Sequence, residues 1–173
     1  SLNKEIYTEG VNLYYQDEAR FGLMTHMGSM INAKGITPIV TFQQEFKNTY
    51  LYGSYSPLDG DAVVCEISSV SCKAFEAYLN ELSKHRPKQY KIVIIDNARF
   101  HTTTNIKVPE NIKLINIPPY SPELNPSEQV WKYIKDRFKN RTFKTLNQLK
   151  QWLHQFVKDM DEKLIKSIVS NHI

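Results

Sequence analysis

The chain has 173 residues, 41% of them hydrophobic, enough for one globular domain whose core needs no disulfide staples. Its two cysteines, Cys65 and Cys72, form neither a CxxC pair nor a metal-ligand spacing, which excludes a structural zinc and suits a reducing compartment. Formal net charge is only +4, no apolar run reaches membrane-span length, and the N-terminus lacks a signal-peptide core, so a cytoplasmic protein without membrane contact is expected.

In chain order, alternation from Val11 to Asp17 places Leu13, Tyr15 and Asp17 on one side, which predicts a first strand ending on an acid. Met24 to Phe46 fits either an extra strand or a loop. Asn48–Tyr55 and Ala62–Ile67 read as strands joined by SPLDGD, whose Pro57, Asp59 and Gly60 supply turn chemistry for an antiparallel hairpin. A helix capped by Ser71 carries Phe75, Tyr78, Leu79 and Leu82 on one face and stops before Pro87. With that helix as a crossover, Lys91–Asp96 can run parallel to the first strand, and its apolar run predicts burial on both faces.

Ile112–Ile117 is the next predicted strand. Asn125, Pro126, Ser127 and Glu128 read as N-cap, N1, N2 and N3 of a helix bearing Val130, Trp131, Ile134 and Phe138. Thr145 with Gln148 reads as the capping box of a further helix carrying Leu146, Leu149, Leu153, Phe156 and Val157, and Asp161–Val169 as a short terminal helix.

Three acids thus fall at element ends: Asp17, Asp96 and Glu128. Each has an ordinary explanation when taken singly. Glu128 can complete a cap with Asn125 and complement the helix dipole, worth about 1 kcal/mol. Asp96 with Asn97 can be a turn after a buried strand, and Asp17 beside Glu18 and Arg20 a surface ion pair. Glu18 is an alternative to Asp17, but alternation puts it on the other strand face. From Trp131 to Lys150 the chain carries Lys132, Lys135, Arg137, Lys139, Arg141, Lys144 and Lys150 against Asp136 alone. Such a stretch suits a phosphate backbone or, equally simply, a solvated helix face.

A meander followed by helix-linked parallel strands, with acids at strand one, strand four and a later helix, is the layout of a ribonuclease H-like, retroviral integrase-like α/β fold. The motifs QDEARFGL (Gln16–Leu23), IDNARFH (Ile95–His101) and PPYSPELNPSEQVW (Pro118–Trp131) are together similar to the three acid motifs of DDE transposases of the Tc-mariner superfamily, in its bacterial insertion-sequence branch. The third motif is the most specific. The resemblance implies a single catalytic domain over residues 1–173, without the helix-turn-helix recognition region that family members carry, since 16 residues precede Asp17. The 31 residues between Asp96 and Glu128 are slightly fewer than is usual there, which a short loop between Thr102 and Asn111 accommodates.

By the same resemblance, Asp17, Asp96 and Glu128 match the catalytic, metal-binding acids. They would hold two Mg²⁺ ions, with Mn²⁺ able to substitute, because converging carboxylates repel unless hard cations offset their charge. The expected activity is metal-dependent DNA strand cleavage and strand transfer on double-stranded DNA, at transposon ends and target, by a homodimer in the full-length complex. Asn97 and His101 would stand beside the site, and Lys132, Lys135, Arg137, Lys139 and Arg141 would meet DNA. Trp131 reads as core rather than as a stacking residue. Pro118, Pro119, Pro122 and Pro126 restrict the backbone that presents Glu128. Two other readings remain open: a catalytically silent DNA-binding remnant, and a cellular ribonuclease H-like nuclease such as a ribonuclease or junction resolvase.

Overall fold

The computed structural model describes residues 2–27, 43–96, 106–118, 121–139 and 141–171, excluding the side chains of residues 24–27, 43–46 and 122. Strands β1 (Val11–Met27), β2 (Gln43–Tyr55), β3 (Ala62–Ile67), β4 (Tyr90–Ile95) and β5 (Ile112–Asn116) form one sheet in the order β3-β2-β1-β4-β5. The first three are antiparallel neighbours; β4 runs parallel to β1, and β5 parallel to β4. Helices α1 (Cys72–Lys84), α2 (Ser127–Phe138), α3 (Leu146–Asp159) and α4 (Glu162–Ser170) flank this sheet. The mixed, ribonuclease H-like layout expected from the order of elements is therefore present. No helix among the described residues is long and apolar enough to cross a membrane.

Strand alternation divides the core in two. Tyr14, Tyr52, Val93 and Ile95 project from one face onto Phe75, Tyr78, Leu79 and Leu82 of α1. Full burial of such side chains is worth about 1.5–3 kcal/mol each. Ser71 starts α1 as expected, its hydroxyl accepting from the Ala74 amide at 3.0 Å. From the other face, Tyr15, Ala19, Phe21, Leu51 and Tyr55 pack against Val130, Trp131 and Ile134 of α2, Leu149 and Leu153 of α3, and Ile165 and Val169 of α4. Gly60 takes φ +77° in the β2–β3 turn, where a Cβ would lie 1.9 Å from the Glu162 carbonyl oxygen. Only glycine lets that turn meet the start of α4.

Several boundaries differ from expectation. β1 does not end near Asp17 but continues to Met27, paired with β2 from Tyr15↔Tyr55 to Met27↔Gln43. The alternation persists through Ala19, Phe21 and Leu23, all buried, while Arg20 and Gly22 are exposed. The ambiguous stretch is thus strand at both of its ends, and residues 28–42 lie outside those described. β4 is fully buried only on its α1 face; Ile92 and Ile94 are half-buried, because the contacts of α2, α3 and α4 with the sheet fall on β1, β2 and β3. At α3, the Thr145 hydroxyl accepts from the Gln148 amide at 3.2 Å, but Gln148 returns its side chain to the Lys144 amide at 3.0 Å, one residue before the cap. Asp161 caps α4 by accepting from the Leu164 amide at 2.8 Å.

Candidate active site

Asp17 and Asp96 are brought to one end of the sheet by strand pairing. The last paired residues of β1 and β4 are Tyr15 and Ile94, and each acid lies two positions further on. Asp17 is half-buried, on the β1 face that α2 covers, and accepts a hydrogen bond from Trp131 Nε1 at 3.2 Å. Asp96 follows the last residue of β4 and is exposed.

Glu128 arrives from α2, and the sequence places that helix by side chains reaching β1. Asn125 Nδ2 donates to the Gln16 carbonyl at 3.0 Å and Ser127 Oγ donates to the Tyr15 carbonyl at 2.9 Å. The main chain just before Asp17 thereby holds the residues just before Glu128. The helix begins one residue later than expected: Pro126 is the N-cap residue, with no side-chain cap bond, and Glu128 is at N2 rather than N3. Asn125 serves instead through Oδ1, which accepts from the Ser127 amide at 3.0 Å. Among the described residues Glu128 makes no capping-box bond, although in the first turn of α2 it still complements the helix dipole.

A cavity of about 760 Å³ lies over this junction, lined by Asp17, Glu18, Arg20, Glu128, Trp131, Lys132, Lys135 and Asp136 among others. It gathers two of the three expected acids with two of the five expected basic residues. Glu18 is on the other strand face, as alternation requires, yet it also borders the cavity; it is 8% exposed and accepts from Gln16 Nε2 at 3.3 Å. The remaining basic residues do not line the cavity, although Lys139 pairs with Asp136, which does. Arg137 lies 3.5 Å over the Tyr133 ring and donates to the Tyr133 carbonyl, Lys139 stands 4.0 Å from Asp136, and Arg141 lies 6.0 Å from the Trp152 ring. The helix period separates Arg137 from Lys132 and Lys135, which share one face of α2, while Lys139, four residues after Lys135, continues that face.

Asn97, His101 and Pro119 lie outside the described residues, as does the Pro122 side chain. Pro126 is buried and adopts φ −69°, consistent with the backbone restriction expected of it. Trp131, 5% exposed, is core as expected, but its bond to Asp17 was not legible from the chain. Beside it Tyr55 is 1% exposed, and its hydroxyl has no hydrogen-bond partner among the described residues. Burial, and secondarily the Asp17 charge, push that phenol well above its ordinary range.

Oxygen donors of this kind suit a hard divalent cation better than a soft metal. Among the described residues, no three His, Cys, Asp or Glu side chains are grouped so as to hold a metal ion by themselves. Asp17 and Glu128 are the two expected acids that line the shared cavity, beside Glu18 and Asp136, and Asp96 does not line it.

Comparison with known proteins bears on this arrangement. The solved structures that this chain is similar to include a Mos1 mariner paired-end complex with Mg, at TM-score 0.65 and 16% identity over 93% of this chain and 53% of that one. They also include the Mos1 strand transfer complex, at TM-score 0.63 and 16% identity over 96% and 52%. These likenesses show the fold, and the chain spans about half the length of those proteins. The chain is also 35% identical over 97 residues to the uncharacterized protein y4pE/y4sA of Sinorhizobium fredii, covering 55% of this chain and 72% of that relative. Residues 12–150, which contain all three acids and the cavity, match the family model for DDE superfamily endonucleases, and the chain belongs to that family.

Proposed function

We propose that this chain is the catalytic domain of a DNA transposase, cutting and joining DNA strands with divalent cations held by Asp17, Asp96 and Glu128. The observation that carries the reading is the shared cavity, where Asp17 from β1 and Glu128 from α2 stand beside Lys132 and Lys135. Family membership, and the likeness to mariner proteins solved in paired-end and strand-transfer complexes, support it. Asp96, two positions past the last pair of β4, is the acid nearest in register to Asp17.

The residues divide the work by charge. Asp17, Asp96 and Glu128 supply the oxygen donors that hard divalent cations prefer, and bound cations would offset repulsion between neighbouring carboxylates. Mg²⁺, or Mn²⁺ in its place, supplies activation of the attacking oxygen and neutralisation of charge on the leaving oxygen. In cleavage, a water oxygen forms a bond to phosphorus as the bond to the 3′ oxygen breaks, leaving a 3′-hydroxyl and a 5′-phosphate. In strand transfer, that 3′ oxygen forms a bond to a target phosphorus as the target's own bond from phosphorus to its 3′ oxygen breaks, which joins the strands and leaves a 3′-hydroxyl on the target. Lys132 and Lys135 hold DNA phosphates near the acids. Double-stranded DNA is the substrate, and a homodimer pairs the two ends.

The test is single replacement of Asp17→Asn, Asp96→Asn and Glu128→Gln, with Mn²⁺ binding and nicking of a transposon-end duplex as paired readouts. Each is expected to reduce nicking at least 100-fold, the scale on which electrostatic transition-state contacts act. Full nicking by any one variant would remove that acid from the reading.

A further inference from the structure

We infer that Trp131 is a positioning residue for the Asp17 carboxylate, and that glycine stands at position 53 because a Cβ there would strike the Tyr55 ring and the indole packed against it. The inference rests on the reading of Asp17 as a metal ligand and adds to it two residues that carry no charge.

Trp131 Nε1 donates to Asp17 Oδ2 at 3.2 Å, from a side chain only 5% exposed. A donor so buried has few alternative rotamers, so it constrains the acceptor it meets. The indole is seated edge-on against Tyr55, with ring centroids 5.6 Å apart and planes at 75°. Beneath both rings runs β2, whose residue opposite Asp17 is Gly53. A Cβ there would lie 2.5 Å from the Tyr55 hydroxyl oxygen, 2.7 Å from Tyr55 Cζ and 2.9 Å from Trp131 Cη2. These are atoms of two packed rings rather than the free end of a flexible chain, so one ring must give way. Trp131 is also three residues after Glu128, about one helical turn along α2. The turn that presents the third acid therefore also carries the donor for the first, and both depend on the same seating of the helix.

The experiment is a Mn²⁺ titration of this chain by calorimetry, with thermal unfolding of each variant in the absence of metal. Trp131→Phe keeps the aromatic packing and removes the N–H. It is expected to weaken Mn²⁺ binding about tenfold, as loss of an outer hydrogen bond to a ligand does. Gly53→Ala leaves every charged and donating group in place and is expected to weaken binding similarly. The double variant should be no weaker than the worse single one, because both act through the same bond. Ile134→Val, a buried packing change on the same helix, should lower the unfolding temperature and leave Mn²⁺ affinity unchanged. Wild-type affinity in both Trp131→Phe and Gly53→Ala, with binding lost in Asp17→Asn, would overturn this inference and leave the metal reading standing. Wild-type affinity in Asp17→Asn would overturn both. Should Trp131→Phe fail to fold, Gly53→Ala and its comparison with Ile134→Val decide the matter alone.

Discussion

Replacing Asn125 with alanine tests whether the acids are held together by the strap between α2 and β1. The side chain is 5% exposed and makes two bonds of 3.0 Å, donating to the Gln16 carbonyl and accepting from the Ser127 amide. Alanine leaves both main-chain groups without these partners in a place water reaches poorly. Loss of the bond to the Ser127 amide at the helix start costs about 1 kcal/mol, and leaving the Gln16 carbonyl unsatisfied about 1–2 kcal/mol more. The expected loss is therefore about 2–3 kcal/mol in urea unfolding, or roughly 5–10 °C in unfolding temperature for a chain of this size. Asn125→Asp sharpens the test. It keeps an acceptor for the Ser127 amide but turns a carboxylate oxygen toward the Gln16 carbonyl, so it should be at least as damaging as alanine. Nicking should fall about 10- to 100-fold further than instability explains, because Glu128 loses its placement relative to Asp17. A change below about 0.5 kcal/mol in Asn125→Ala, or wild-type stability in Asn125→Asp, would refute the strap.

Paired substitution Lys132→Ala and Lys135→Ala should weaken DNA binding across sequences and reduce the slope of log affinity against log salt by about 2, measured by anisotropy on unrelated duplexes. Arg137→Ala, whose guanidinium rests on Tyr133 away from the cavity, should change that slope much less. Lys91 is fully buried, its ammonium bonded to the Arg86 carbonyl at 2.9 Å, and burial lowers its pKa to about 8. The unfolded chain then binds more protons than the folded one between pH 8 and 10.5, so this group's destabilising effect is relieved as pH rises through that window. Relative to Lys91→Met, the wild type should gain about 2 kcal/mol from pH 8 to pH 10 in urea unfolding. Tyr55→Phe removes a buried hydroxyl without a partner among the described residues, so it should leave stability unchanged or raise it by about 1 kcal/mol in thermal unfolding. A loss of 2 kcal/mol would mean that the hydroxyl is satisfied by a group outside those described.

Much of the fold was legible because local chemistry and tertiary demand agree. Ser71 caps α1 where the sequence placed it, and Phe75, Tyr78, Leu79 and Leu82 form its buried face, since a helix period imposed on apolar residues leaves one way to bury them. The reach of β1 was less legible. Glu18 and Arg20 look like the end of a strand, and only the pairing with β2 shows that Ala19, Phe21 and Leu23 continue its inward face. Asn125 read as a helix cap because that is its commonest local use, whereas its amide spends one bond on the helix start and one on a strand 109 residues away.

The amino-acid order by itself determined the layers, the parallel placement of β4 beside β1, and the acids at the end of β4 and the start of α2. Each follows from periodicities and connection lengths that act over a few residues. Asp17, by contrast, lies within β1, which pairing with β2 carries on to Met27. Tertiary structure alone decided which charges share a cavity: Lys132 and Lys135 do, while Arg137 and Arg141 lie over aromatic rings. It alone seated Trp131 on Asp17 across Gly53. Such relations depend on the rotation of α2 about its axis, and that rotation is set by how side chains from several elements pack at once.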